Sequence, residues 1–271
     1  MSRVSELFMP IGQCKLCLLT KELQDSHFIN AALYRIANRR GGAIVKTPEL
    51  FIAISNQVHD YVLCRECEQL FSRKGEDYVM PLVKQDDNDF PLLKILTQGK
   101  PLAPTGPNNG TPFSGPATGI DTEKLAYYAL SMFWRGAVHV WKTLNRQTTS
   151  VNMNAEDQEA IRKYLHEESG WPPGIVLQVT VCTDLFSQDN VLAPVDWEND
   201  MYKGSSMVIF GIFFVMVRGV RPGESDWNLC CRTPPNYVIF RHDCGSTSRA
   251  LEDDMRKTAK IADNLKKKKK P

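Results

Sequence analysis

The chain has 271 residues, 42% apolar and 24% charged, with 33 basic against 31 acidic side chains and a net charge of +2. That composition excludes collagen-like, low-complexity and wholly disordered chains, and a polycation that coats nucleic acid over its whole surface. At about 100–200 residues per domain, the length suggests one large domain or two small ones, and two is the working expectation.

The first residues, Met1 to Glu6, carry charge where a secretory signal would hold its apolar stretch, so a cytoplasmic location is expected. The eight cysteines are then expected to stay reduced, and their spacing is read as metal binding or burial. The longest apolar run, Met207 to Val217, is about half of the about 20 residues a membrane helix needs; it reads as a buried strand, and no membrane contact is expected.

Residues 1–85 hold Cys14-Lys15-Leu16-Cys17 and Cys64-Arg65-Glu66-Cys67. Two residues between cysteines let one tight turn aim both sulfurs at one ion, and two such pairs complete a tetrahedral thiolate site for a structural zinc. Four thiolates close the coordination shell, so this zinc is scaffolding. Between the pairs, Phe28, Ala32, Leu33 and Ile36 keep helical spacing, and Asn38-Arg39-Arg40-Gly41-Gly42 ends the helix.

Residues 86–120 read as a linker or long loop, because Pro101, Pro104, Pro107, Pro112 and Pro116 can neither extend a helix nor hold a central strand. Asp121 opens a helix apolar on two faces. Leu125, Tyr128, Met132, Val140 and Leu144 form one row, Tyr127, Trp134, Val138 and Trp141 another, and Arg135, His139, Lys142 and Arg146 the remaining stripe. Arg135, beside Trp134, is expected to be partly buried with a carboxylate or phosphate partner.

A second helix is expected from the cap Asn154 to about Glu168, then strands at Ile175 to Cys182, Met207 to Val217 and Tyr237 to Phe240. An amphipathic helix from Ser246 to Leu265 and a basic tail, 266–271, close the chain. Cys182, Cys230, Cys231 and Cys244 read as buried thiols. The expected fold is α+β: the zinc module, the linker, and a domain at 121–265 of helices packed on a small antiparallel sheet.

Asp25-Ser26-His27-Phe28-Ile29 between the cysteine pairs, with Leu63-Cys64-Arg65-Glu66-Cys67-Glu68 after it, resembles the zinc-stapled branch of the HNH, or His-Me finger, endonucleases. The chain also resembles uncharacterised bacterial proteins with a Ser-His-hydrophobic-Ile motif, a Leu-Cys-x-x-Cys-Glu motif and a later Trp-Arg helix, matched by Ser26 to Ile29, Leu63 to Glu68 and Phe133-Trp134-Arg135. The nuclease resemblance covers about residues 10–80. It implies a β-hairpin and helix around one divalent ion, magnesium or manganese, with His27 as the base that takes a proton from water.

Ser26 stands where the family often has a metal-binding aspartate, with Asp25 one place earlier, and Glu68 replaces the later histidine. The resemblance therefore implies Glu68 as leading metal ligand, Asp25 and Glu76 as further oxygen donors, and Asn56 as candidate for the central asparagine. Within residues 1–46, Arg3, Lys15, Lys21, Arg35, Arg39, Arg40 and Lys46 outnumber the acids, which suits a phosphate backbone.

Two functions are carried forward. One is a metal-dependent endonuclease cleaving nucleic acid, with DNA the expected partner, in bacterial or phage defence by analogy. The other is a non-catalytic zinc module that binds nucleic acid or protein. In either case the C-terminal part could form a homo-oligomer or meet a protein partner.

Overall fold

The computed structural model describes residues 9–40, 42–48, 51–104, 110–221 and 237–245. Strands β1 (Ile11–Gln13) and β2 (Thr20–His27) flank the first cysteine pair and lead into helix α1 (Ala31–Ala37). Then come β3 (Ala43–Lys46), β4 (Phe51–Ile54), β5 (His59–Cys64) and α2 (Arg65–Phe71), which runs through a π-helical turn (Ser72–Glu76) into α3 (Asp77–Val79). The middle of the chain forms α4 (Pro91–Gln98), β6 (Thr111–Ser114), α5 (Thr122–Val138), β7 (Trp141–Lys142), β8 (Thr148–Thr149) and α6 (Ala155–Leu165). The last part holds β9 (Ile175–Cys182), α7 (Leu185–Asp189), β10 (Val191–Glu198), β11 (Lys203–Ile209), β12 (Ile212–Arg218) and β13 (Val238–His242).

The α+β class holds, but the sheet is neither small nor purely antiparallel. Eight strands run in the order β4-β3-β10-β11-β12-β9-β13-β6, with β10–β3 and β13–β9 parallel. A separate three-stranded sheet, β1-β2-β5, carries the cysteine pairs, and β7-β8 form a small ribbon. β3 and β4 lie between the two cysteine pairs in sequence yet belong to the large sheet, and β6, from the expected linker, is its edge. An edge is where a strand containing Pro112 can sit without breaking a ladder on both sides. One apolar cluster runs from Cys14 to Ile239.

Helix starts follow cap chemistry. Asn30 Oδ1 accepts from Ala32 N at 2.7 Å, Asp121 Oδ1 from Lys124 N at 3.1 Å and Asn154 Oδ1 from Asp157 N at 2.7 Å, each satisfying an amide that the first turn leaves open. α5 is buried from Leu125 to Gly136 and packs against the π turn, α6 and β10.

Two expected elements are corrected. The helix opened by Asp121 ends at Val138 rather than continuing through Leu144, and Val140 and Leu144 are 54% and 74% exposed. The cause is local competition for the last carbonyls: Trp141 Nε1 donates to Arg135 O at 2.9 Å and Val151 N to Gly136 O at 2.8 Å. Trp141 also stacks on Phe28, with centroids 5.6 Å apart, so its burial outweighs a longer helix.

The Met207 to Val217 run is a hairpin, not one strand. Phe210 and Gly211 have φ of 39° and 90° and form a two-residue turn between β11 and β12. Burial on both sides hid the turn, because every residue around it is apolar. The third strand is shifted slightly, to Val238–His242, and the helix at 246–265, the tail at 266–271, Cys230 and Cys231 lie outside the described residues. Among the described residues, no helix is long and apolar enough to cross a membrane.

Candidate functional site

The four cysteines converge. Cys14 follows β1, and its turn is closed by Leu18 N to Cys14 O and Cys14 N to Leu19 O, both 2.9 Å, with Leu18 at a φ of 62°. Cys64 ends β5 and caps α2, and its amide donates to Cys14 Sγ at 3.3 Å. All four Sγ atoms lie within 4.8 Å of one another. Cys17 Sγ and Cys64 Sγ are 3.9 Å apart, which matches the about 3.8 Å separation of two thiolates on a tetrahedral zinc with Zn–S of about 2.3 Å.

Cys14 is drawn down to about 4, first by a thiol hydrogen bond from Cys67 and against the effect of burial. Burial pushes Cys64 up to about 12, and the thiol contact with Cys14 pushes Cys67 up. One thiolate is thus stabilised by its neighbours, and a divalent cation would supply the charge that lets the others ionise. The cluster is suited to hold a zinc ion.

Beside it, β2, α1, the helix after β5, and α5 line an open cavity of ≈ 380 Å³ that includes His27, Asn30, Arg35, Glu68, Glu76 and Arg135. His27 ends β2 and faces His59 across the β2–β5 pair. Its Nε2 lies 2.5 Å from Gln57 Oε1; with that carbonyl as acceptor, Nε2 carries the hydrogen and Nδ1 remains the basic nitrogen.

Glu68 comes from α2 and Glu76 from the π turn, and the wider turn lets both reach one side of the helix. Gly75 makes the approach possible, since a Cβ there would lie 2.9 Å from Tyr128 Cα on α5. From α5, Arg135 Nη2 meets Glu76 Oε1 at 2.8 Å and Glu68 Oε2 at 3.7 Å, while Nη1 donates to His27 O at 3.4 Å. Arg135 is 2% exposed, so the carboxylate partner expected for it is present twice. Burial opposes its charge, but Glu76 and Glu68 outweigh burial and raise its pKa.

The carboxylates are not exhausted by the arginine. Glu68 Oε1 is buried and has no hydrogen-bond partner, and Arg135 Nε is in the same condition. A buried, unpaired carboxylate oxygen is costly, and a hard cation would satisfy it. Among the described residues, only cysteine-containing sets bring three ligating atoms within 4.8 Å: the four cysteines, and Cys182 with Asp184 and Cys244. Glu68, Glu76 and His27 line one cavity without bringing three ligating atoms that close together.

The other expected residues lie elsewhere. Asp25 does not line the cavity; its Oδ1 is 2.5 Å from His59 Nδ1. Asn56 is exposed in the bend before β5 and does not line it either, whereas its neighbour Gln57 touches His27. Gln57 and Asn30 had no motif to announce them, whereas Arg35 belongs to the basic set read from the sequence. Of the basic residues near the start, Arg40 turns inward, at 3.2 Å from Asp189 Oδ1, and does not contribute to an outward positive field.

No protein-family model, curated protein or solved structure matches the chain.

Proposed function

We propose that the cavity is the centre of a divalent-metal-dependent nuclease and that the four cysteines hold a structural zinc beside it. The observation that carries this reading is the meeting of His27, Glu68 and Glu76 in one cavity, with Glu68 Oε1 buried and unpartnered. The antiparallel pairing of β2 with β5, followed by α2, supports an HNH-like reading, with α1, β3 and β4 inserted between the two strands.

In this reading His27 Nδ1 takes the proton from the attacking water, and Gln57 holds the imidazole in the basic tautomer. Glu68 and Glu76 would hold a magnesium or manganese ion, whose contribution is to stabilise negative charge on the phosphate. Arg135 positions the two carboxylates, and Arg35 at the cavity wall attracts the phosphate backbone of DNA. Asp25 and Asn56 have no part in it. The expected setting is the cytoplasm, where zinc–thiolate sites persist.

Purified protein incubated with plasmid should nick it only when magnesium or manganese is added. His27→Ala should lower the rate by about 10²–10⁴-fold, the span of general-base contributions. Equal cleavage by wild type and His27→Ala would remove the base. One observation favours the second reading: Arg135 already neutralises part of the carboxylate charge, as it would in a non-catalytic zinc module. Absence of cleavage of DNA and RNA with either metal, together with retained nucleic-acid binding, would establish that module instead.

A further inference from the structure

The proposed nuclease leaves one buried cysteine pair unused. Cys182 ends β9 and Cys244 lies two residues beyond β13; both are buried, at 0% and 5% exposure, and their sulfurs are 2.7 Å apart. β13 runs parallel to β9, with His242 opposite Cys182, and Thr183 N donates to His242 O at 3.0 Å, so backbone pairing brings Cys244 to this place.

That separation differs in kind from the zinc cluster. Two thiolates sharing a zinc stand about 3.8 Å apart, as Cys17 and Cys64 nearly do at 3.9 Å. At 2.7 Å the Cys182–Cys244 pair is too close to share an ion in that way. The third member of the group, Asp184, uses its Oδ1 to cap α7, accepting from Ser187 N at 2.9 Å. The short sulfur–sulfur distance favours a dithiol placed for bonding over a second zinc site.

We propose that Cys182 and Cys244 are a redox-modification site that a peroxide converts to a reversible disulfide. Cys244 sulfur attacks one peroxide oxygen; the O–O bond breaks, the other oxygen leaves with the thiol proton as water, and a sulfenic acid remains. Cys182 sulfur then displaces the hydroxyl, which takes the Cys182 proton and leaves as a second water. Two electrons pass from the sulfurs to the peroxide, and one S–S bond replaces two S–H bonds. Cys182 gives up its proton as the S–S bond forms; the thiol contact with Cys244, and then burial, raise its pKa well above the usual thiol range, which slows this second step. The bond clamps β13 to β9, whose direct pairing covers only Phe240 to His242.

The test uses the full chain as isolated. Hydrogen peroxide is added, remaining thiols are capped in denaturant, and the digest is read by mass spectrometry beside a zinc analysis. The expected product is a Cys182 peptide joined to a Cys244 peptide, lighter by two hydrogens, reversed by dithiothreitol, with one zinc per chain throughout. Complete capping of both thiols after peroxide, or a bond from either to Cys230 or Cys231, would overturn the proposal. So would a second zinc per chain that Cys182→Ser and Cys244→Ser each remove. None of these outcomes depends on nuclease activity.

Discussion

The four-cysteine cluster is built from one short turn and one strand-to-helix junction, each placing its own pair of sulfurs, whereas the His27 cavity is assembled from a strand end, a π turn and a helix far apart in sequence. In the first, Cys14 and Cys17 are set by hydrogen bonds within residues 14–19. In the second, Glu76 reaches Glu68 only because the helix widens, and both are held by Arg135 from α5. Spacing encodes the first arrangement directly; the second depends on packing. The two regions should therefore fail differently when perturbed.

The largest effect is expected at the cluster. Cys64→Ser removes one of the four sulfurs while keeping the backbone amide that donates to Cys14 Sγ, so zinc and cooperative unfolding of the N-terminal part should both be lost, read by metal analysis and circular dichroism. Retention of zinc and of the melting temperature would break the comparison at its stronger side. Next comes Arg135→Met, which leaves Glu76 and Glu68 without their buried counter-charge and should cost about 3–5 kcal/mol in denaturant unfolding. Adding Glu76→Gln should recover part of that loss, and strict additivity would show that the pair is not coupled.

Gly75→Ala should cost about 1–3 kcal/mol, because its Cβ meets Tyr128 on a rigid helix, with zinc unaffected. A smaller effect belongs to Glu168, held down to about 2 by Arg162 and then by His166. Arg162 also donates to Leu16 O, inside the first cysteine turn, at 2.8 Å. A depressed carboxylate contributes stability that is fully present above its ordinary value of 4.5 and lost as pH falls toward 2. Glu168→Gln should flatten the acid limb of stability in that window and leave the neutral plateau little changed, since the side chain is exposed. Least of all, Leu144→Ser should stay within about 0.5 kcal/mol, as the residue lies outside α5 and faces solvent.

Legibility in the sequence follows the range of the interactions. The cysteine pairs and the caps Asp121 and Asn154 could be read because the deciding partner lies within four residues. Arg135 could be suspected of burial from Trp134, though not matched to Glu76, since the pairing requires the π turn. The end of α5 was not legible, because Trp141 fits the helical repeat while its indole binds the Arg135 carbonyl. Nor was the place of β3 and β4 in the large sheet, which rests on the pairing of Leu192 with Ile44, distant along the chain. Gln57 beside His27 carries no residue-type signal at all, and Asn56, chosen for its type, sits one position away from the contact.

The most direct test of the central claim is manganese binding to zinc-loaded protein, followed by electron paramagnetic resonance. Wild type should bind one manganese ion, and Glu68→Gln should lose it while keeping its zinc and its fold. Manganese binding that is absent from wild type, or unchanged in Glu68→Gln, would contradict the assignment of this cavity as a metal site.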